Sequence, residues 1–190
     1  MRRGLLGGTF DPPHLAHLYA GEAAYRSLGL DVVTLIPAGS PWQKAAESVT
    51  GSSARWAMTK LAVEGVDYFD ADDREVRRDG WTYTIETLES FPDDEELTLI
   101  LGADAAARLP TWQRGEEVMA RAAIAVAPRP GVESQRVASV LEGRRWEWLT
   151  MPLLHVSGTE LRAMARAGHS LRFLVAEPVW RYIVAEGVYG

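Results

Sequence analysis

The sequence predicts an α/β fold: a doubly wound parallel sheet covered by helices on both faces, closing in a helical C-terminal segment. Three observations point there. Short, continuous apolar runs at 4–6, 32–36, 97–101 and 123–126 are bounded by Gly or Pro, as strands buried on both faces are. Stretches whose apolar residues step by three and four lie between them. After Pro152 the pattern is helical to the end. Strand–helix alternation of this rhythm gives a parallel sheet.

Taken in order, Leu5 and Leu6 lie on a first strand that runs into Gly7-Gly8-Thr9-Phe10-Asp11-Pro12-Pro13-His14-Leu15-Ala16-His17. The glycines let the backbone pass close to a ligand, and a helix opens near Pro13, a favoured first helical residue. Leu15, Leu18, Tyr19, Ala23 and Arg26 step along that helix, and Gly29 ends it. A second helix carries Ala54, Ala57, Met58, Leu61 and Ala62 behind Ser52 and Ser53, residue types that cap helix starts. Residues 67–73 mix a strand with an acidic turn, and the charged stretch 74–79 reads as a surface crossing toward a helix at 84–91. Another strand is expected at 146–151. Ser157-Gly158-Thr159-Glu160 has the form of a capping box, Gly168 marks the end of that helix, and a last helix at 178–186 stops before Gly187. No repeat, low-complexity tract or linker divides the chain, so one domain spanning 1–190 is expected.

The bulk numbers exclude several functions. No apolar run approaches the ~20 residues of a membrane span, and Met1-Arg2-Arg3 leads into a strand without a signal-peptide pattern. A cytoplasmic protein is expected. Having no cysteine, the chain excludes disulfides, thiolate metal sites and cysteine nucleophiles. The net charge of −6 argues against binding nucleic acid or anionic membrane, though one local site can still receive a small anion. A homo-oligomer is compatible with the sequence.

In such sheets ligands bind beyond the carboxyl ends of the strands, where strand order reverses, and the glycine loop sits at such an end. His14 and His17, three apart, fall about 60° apart on one helix face, beside a helix start whose free N–H groups attract anions. Both imidazoles can point at one anion. On the residues alone the alternative is that they cap and pack, with Gly7 and Gly8 only shaping a turn.

The run Gly-Gly-Thr-Phe-Asp-Pro-Pro-His-Leu-Ala-His resembles the signature of the nucleotidylyltransferase superfamily, a glycine-Thr-Phe-Asp loop followed by His-x-x-His. The resemblance implies a Rossmann-like sheet of nucleotidylyltransferase type and nucleotidyl transfer with loss of pyrophosphate. In that family the two histidines bind the triphosphate and stabilise the transition state. The matching positions here are His14 and His17, with Gly7, Gly8, Thr9 and Phe10 in the ATP loop. The family's second motif, Ile-Ser-Ser-Thr-x-x-Arg, is similar to Val156-Ser157-Gly158-Thr159-Glu160-Leu161-Arg162, with glycine at 158 in place of the usual serine. Backbone N–H groups, the hydroxyls of Ser157 and Thr159 and the Arg162 guanidinium can still surround an anion. Glu160 reads as an ordinary cap.

Pro37-Ala38-Gly39-Ser40-Pro41-Trp42-Gln43-Lys44, Trp81-Thr82-Tyr83-Thr84-Ile85-Glu86-Thr87-Leu88 and Leu101-Gly102-Ala103-Asp104 followed by Trp112 resemble bacterial nicotinate-mononucleotide adenylyltransferases in order and spacing, as does the ending at 175–189. That likeness implies that Trp112 stacks on the pyridine ring, that Thr84 and nearby N–H groups hold the nicotinate carboxylate, and that Gly102 and Asp104 contact the adenosine side. An indole face suits a flat pyridine, while Asp104 could equally cap a helix. Lys44 lies in a Gly/Pro-rich loop suited to an arm that closes on phosphates. Arg129 could meet a phosphate or only solvent.

The expected reaction is in-line attack of the nicotinate mononucleotide 5′-phosphate on the α-phosphorus of ATP. It yields nicotinate adenine dinucleotide and pyrophosphate for NAD biosynthesis, without a covalent intermediate. Mg2+ would ride on the triphosphate rather than on a protein carboxylate cluster. Three other readings stand beside it. One is a sister transferase on the same fold, acting on nicotinamide mononucleotide, phosphopantetheine or glycerol phosphate. Another is a nucleotide sensor without turnover. The third is a hydrolase with zinc on His14 and His17, with or without Asp11, for which no nearby third and fourth ligands are evident in the sequence.

Overall fold

The computed structural model describes residues 1–40 and 49–190. Six strands, β1 (Arg2–Gly8), β2 (Val32–Pro37), β3 (Phe69–Ala71), β4 (Glu96–Gly102), β5 (Ala123–Ala127) and β6 (Trp146–Trp148), form one sheet in the order β3-β2-β1-β4-β5-β6. The register is parallel: Leu5 pairs with Leu99, Leu99 with Ile124, and Ile124 with Trp146. This order is that of a doubly wound Rossmann-like sheet, reversing direction between β1 and β4, as expected. Consecutive residues Gly4, Leu5 and Leu6 are buried, as are Val33 through Pro37 and Ile124 through Ala127. Strands buried on both faces read as unbroken apolar runs, which is why these were visible in the sequence.

The helices are α1 (Leu15–Leu28), α2 (Ser52–Val63), α3 (Thr84–Glu89), α4 (Ala103–Ala106), α5 (Gly115–Arg121), α6 (Ser134–Val140), α7 (Gly158–Arg166) and α8 (Glu177–Glu186). Two details differ from the sequence reading. Gly51, not Ser52 or Ser53, caps α2, and no side chain completes that cap. On α1 the buried stripe is Ala20, Gly21, Ala23 and Ala24, whereas Leu15 and Tyr19 are exposed. Small side chains let a helix lie close to its neighbours, so the larger residues of the same spacing fall outside the contact. The end of α7 follows expectation: Gly168 N–H donates to Ala165 O at 2.9 Å and His169 N–H to Met164 O at 2.9 Å, the paired bonds of a Schellman cap.

The chain packs as two compact units, each assembled from three segments. The first comprises Met1–Gly7, Tyr19–Thr34 and Tyr83–His155, and the second Gly8–Leu18, Leu35–Thr82 and Val156–Gly190. In the first, Leu5, Val33, Ile100, Leu109, Ile124 and Leu141 are essentially inaccessible. In the second, Met58, Ala62, Leu161, Leu171, Val175, Val179, Ile183 and Tyr189 form one core. That core brings the middle and the end of the sequence against the glycine loop. No helix among the described residues is long and apolar enough to cross a membrane.

Candidate active site

The second unit contains both histidines and Arg162. Past Gly8 the chain turns at Phe10, whose φ of 49° is left-handed and whose ring is fully buried. The Phe10 and His17 rings meet in a T-shaped contact, with centroids 5.0 Å apart at 88°. Leu15 N–H donates to Leu174 O at 3.0 Å, anchoring the start of α1, and His14 O accepts from His17 N–H at 2.9 Å and Leu18 N–H at 3.2 Å. The imidazoles of His14 and His17 stack, centroids 3.7 Å apart and 23° from parallel. His14 is buried and His17 half-buried. His14 N–H donates to His17 Nδ1 at 3.2 Å. Because Nδ1 accepts, a neutral His17 carries its proton on Nε2.

The second motif begins at Ser157, the N-cap of α7. Its Oγ accepts from Glu160 N–H at 3.3 Å, while its hydroxyl donates to Glu160 Oε2 at 2.8 Å. Glu160 thus reaches back to the Ser157 hydroxyl rather than to its main-chain N–H. Arg162 is almost buried, and its Nη1 donates to Asp11 O at 2.8 Å and its Nη2 to Thr159 Oγ1 at 3.3 Å. The helix start at 157–162 is therefore bonded directly to the loop that bears the histidines. Gly158 has a physical reason: a Cβ there would stand 2.9 Å from Asp11 O and 3.3 Å from Arg162 Nη1. A side chain would displace the carbonyl that holds the arginine.

Asp11, named in the sequence only within the loop and the zinc reading, is joined in this network by Tyr189 and Arg55, which the sequence did not single out. Asp11 is buried, and its Oδ1 accepts from the Tyr189 hydroxyl at 2.8 Å and its Oδ2 from Thr50 N–H at 3.1 Å. Burial pushes the Tyr189 phenol well above its usual range, and the Asp11 charge and hydrogen bond push the same way. Arg55, 1% exposed, donates from Nε to Thr50 O at 2.8 Å, from Nη1 to Thr9 O at 2.9 Å and to Ala38 O, and from Nη2 to Gly39 O at 2.8 Å. Burial lowers its pKa, and Asp11 and Tyr189 oppose that shift. A signal existed: Arg55, Met58, Thr59 and Ala62 form the buried stripe of α2, so a charged residue stood on the apolar face.

Thr84, Gly102, Asp104, Trp112 and Arg129 belong to the first unit. Thr84 opens α3, and Trp112 ends a short 3-10 turn at Leu109–Thr111. Trp112 O accepts from Gly115 N–H at 3.0 Å, and a Cβ on Gly115 would strike Leu109 O at 2.1 Å, so glycine is needed to close the loop that presents the indole. Trp112 is half-buried, its Nε1 buried with no hydrogen-bond partner among the described residues. Asp104 is not a cap, since Gly102 occupies that position in α4. Arg129 Nε lies 3.5 Å from Asp104 Oδ1, with Arg108 Nη2 3.6 Å from Oδ2. Lys44 lies outside the described residues. Among the described residues no group of three or more His, Asp or Glu is arranged to hold a metal ion.

Residues 5–164 match the model of the cytidylyltransferase-like family. The chain is 39% identical to a probable nicotinate-nucleotide adenylyltransferase of Salinibacter ruber, covering 100% of this chain and 98% of that protein. A probable nicotinate-nucleotide adenylyltransferase of Thermoanaerobacter sp. is 35% identical, with 100% and 94% covered. In fold it is similar to Plasmodium falciparum nicotinic acid mononucleotide adenylyltransferase complexed with NaAD, with a TM-score of 0.82 over 99% of this chain and 97% of that one at 16% identity. With its histidine-bearing loop, its arginine-bearing helix start and relatives aligned along its whole length, the chain belongs to the cytidylyltransferase-like family, among the nicotinate-nucleotide adenylyltransferases.

Proposed function

We propose that the protein transfers the adenylyl group of ATP to nicotinate mononucleotide, giving nicotinate adenine dinucleotide and pyrophosphate in NAD biosynthesis. The observation that carries this reading is the bond from Arg162 to Asp11 O, which ties one helix start to the loop bearing the stacked imidazoles of His14 and His17. Two helix starts with cationic and N–H donors suit one polyphosphate. Full-length similarity to proteins named for this activity supports the choice of acceptor.

In the reaction a 5′-phosphate oxygen attacks the α-phosphorus in line, the bond to the bridging oxygen breaks, and pyrophosphate leaves. The attacking oxygen is already ionised at neutral pH, so no general base is required. Rate enhancement comes from alignment and from donors fixed before the charge moves. His14, His17, Arg162 and Lys44 act on the phosphates, ATP arriving as its magnesium complex. Gly7, Gly8, Thr9, Phe10, Ser157 and Thr159 cradle the triphosphate. Gly102 and Asp104 receive the adenosine side, and Thr84 and Trp112 the nicotinate. The buried Trp112 Nε1 has no hydrogen-bond partner among the described residues, in keeping with a donor kept for a ligand. Residues 1–190 work as one nucleotidylyltransferase domain in the cytoplasm.

Pyrophosphate release from ATP, measured with nicotinate mononucleotide, nicotinamide mononucleotide, phosphopantetheine and glycerol phosphate in parallel, tests the proposal. The expected result is fastest release with nicotinate mononucleotide. Faster turnover of another acceptor, or nucleotide binding without pyrophosphate, contradicts it.

A further inference from the structure

We infer that Arg55 is a positioning residue for adenylyl transfer, a clamp that sets the phosphate loop without touching substrate. The inference rests on the proposed function and adds to it a residue outside both motifs. A guanidinium this deeply buried is costly, and burial lowers its pKa, yet its hydrogen-bonding partners are main-chain carbonyls rather than a carboxylate. Those carbonyls come from three places: Thr9 in the glycine loop, Ala38 and Gly39 after β2, and Thr50 before α2.

Three of these partners lead on to residues of the site. Thr9 precedes Phe10, whose ring makes a T-shaped contact with His17. Ala38 N–H donates to Gly8 O at 2.8 Å, holding the glycine pair. Thr50 N–H donates to Asp11 Oδ2, and Asp11 O receives Arg162. A planar fork of five donors can bond carbonyls lying in several directions at once, while an ammonium offers three protons from one point. The charge alone therefore does not replace the clamp.

Arg55→Lys and Arg55→Ala, each compared with the wild-type protein, test this. The lysine variant is expected to melt cooperatively while kcat for pyrophosphate release falls about 10²-fold, the scale of misplacing a reacting group by an ångström. KM for nicotinate mononucleotide stays within about threefold, because none of the clamp's partners is a residue assigned to the nicotinate. Methylguanidinium should restore kcat of the alanine variant by on the order of tenfold through refilling the fork. A readout independent of turnover is the imidazole 1H–15N spectrum, in which His14 and His17 shift in both variants while His155 and His169 stay. A folded lysine variant with kcat within about threefold of wild type overturns the inference. So does an unchanged His14 and His17 spectrum, or failure of both variants to fold, which would make Arg55 scaffold only. Absence of turnover in the wild type sinks the proposed function instead, and the spectrum still decides the clamp.

Discussion

Replacing Tyr189 by Phe removes one oxygen atom from the second unit and nothing else. That hydroxyl donates to Asp11 Oδ1 at 2.8 Å, both residues being at most 5% exposed, so water cannot substitute freely. A hydrogen bond to a charged acceptor contributes about 1.5–3 kcal/mol. Asp11 keeps the Thr50 N–H at 3.1 Å and has Arg162 Nη1 3.9 Å away, so it is weakened rather than orphaned. A loss of about 2 kcal/mol follows, which for a chain of this size lowers Tm by about 4–8 °C. The raised phenol pKa adds a second signature. A group held protonated in the folded state contributes its full stability below its unfolded value of about 10, and that contribution is lost as pH rises beyond it. Urea melts from pH 7 to 11 should show wild-type stability falling above pH 10 more steeply than in Tyr189→Phe. A variant within about 0.5 kcal/mol of wild type at neutral pH, with an unchanged alkaline limb, would refute the hydrogen-bonded Asp11–Tyr189 pair.

Other predictions follow from single contacts. His17→Ala should lower kcat by about 10²–10³ with an unchanged far-ultraviolet spectrum, as removal of a preorganised donor does; steady-state kinetics check it. Trp112→Ala should raise KM for nicotinate mononucleotide about tenfold and leave KM for ATP alone, because stacking is worth ~0.5–1.5 kcal/mol beyond burial. Gly158→Ala should cost about 1–3 kcal/mol in denaturant melts through its clash with Asp11 O, and slow turnover by moving Arg162. Burial alone would raise the Asp72 carboxyl, but hydrogen bonds from the Arg74 side chain and main chain outweigh it and hold the pKa below the usual value. That stability is present above an unfolded pKa of about 4 and lost as pH falls through the folded one, so Asp72→Asn should flatten the acid limb of the melt below about pH 4.

The sheet was legible because parallel strands buried on both faces leave unbroken apolar runs, and Gly29, Gly168 and Gly187 punctuate the helices with φ of 60°, 76° and 59°. The candidate site was legible where chemistry sits in a local motif: His14 and His17 three apart, and Ser157 to Arg162 within two turns. What could not be read were bonds between distant segments. Asp11 and Tyr189 are 178 residues apart in sequence, and neither residue type announces a partner. Gly158 looked like a missing hydroxyl until the Asp11 carbonyl filled the space its side chain would need. Leu15 and Tyr19 misled because spacing identifies a stripe on a helix but not which stripe faces inward.

The central claim is that one triphosphate is held between the histidine pair and the arginine-bearing helix start. A crystal structure with a non-hydrolysable ATP analogue and magnesium tests it most directly. The account predicts phosphate oxygens within hydrogen-bonding distance of the His14 and His17 imidazoles and of the Arg162 guanidinium. Phosphates bound elsewhere, with these three side chains out of reach, would contradict it.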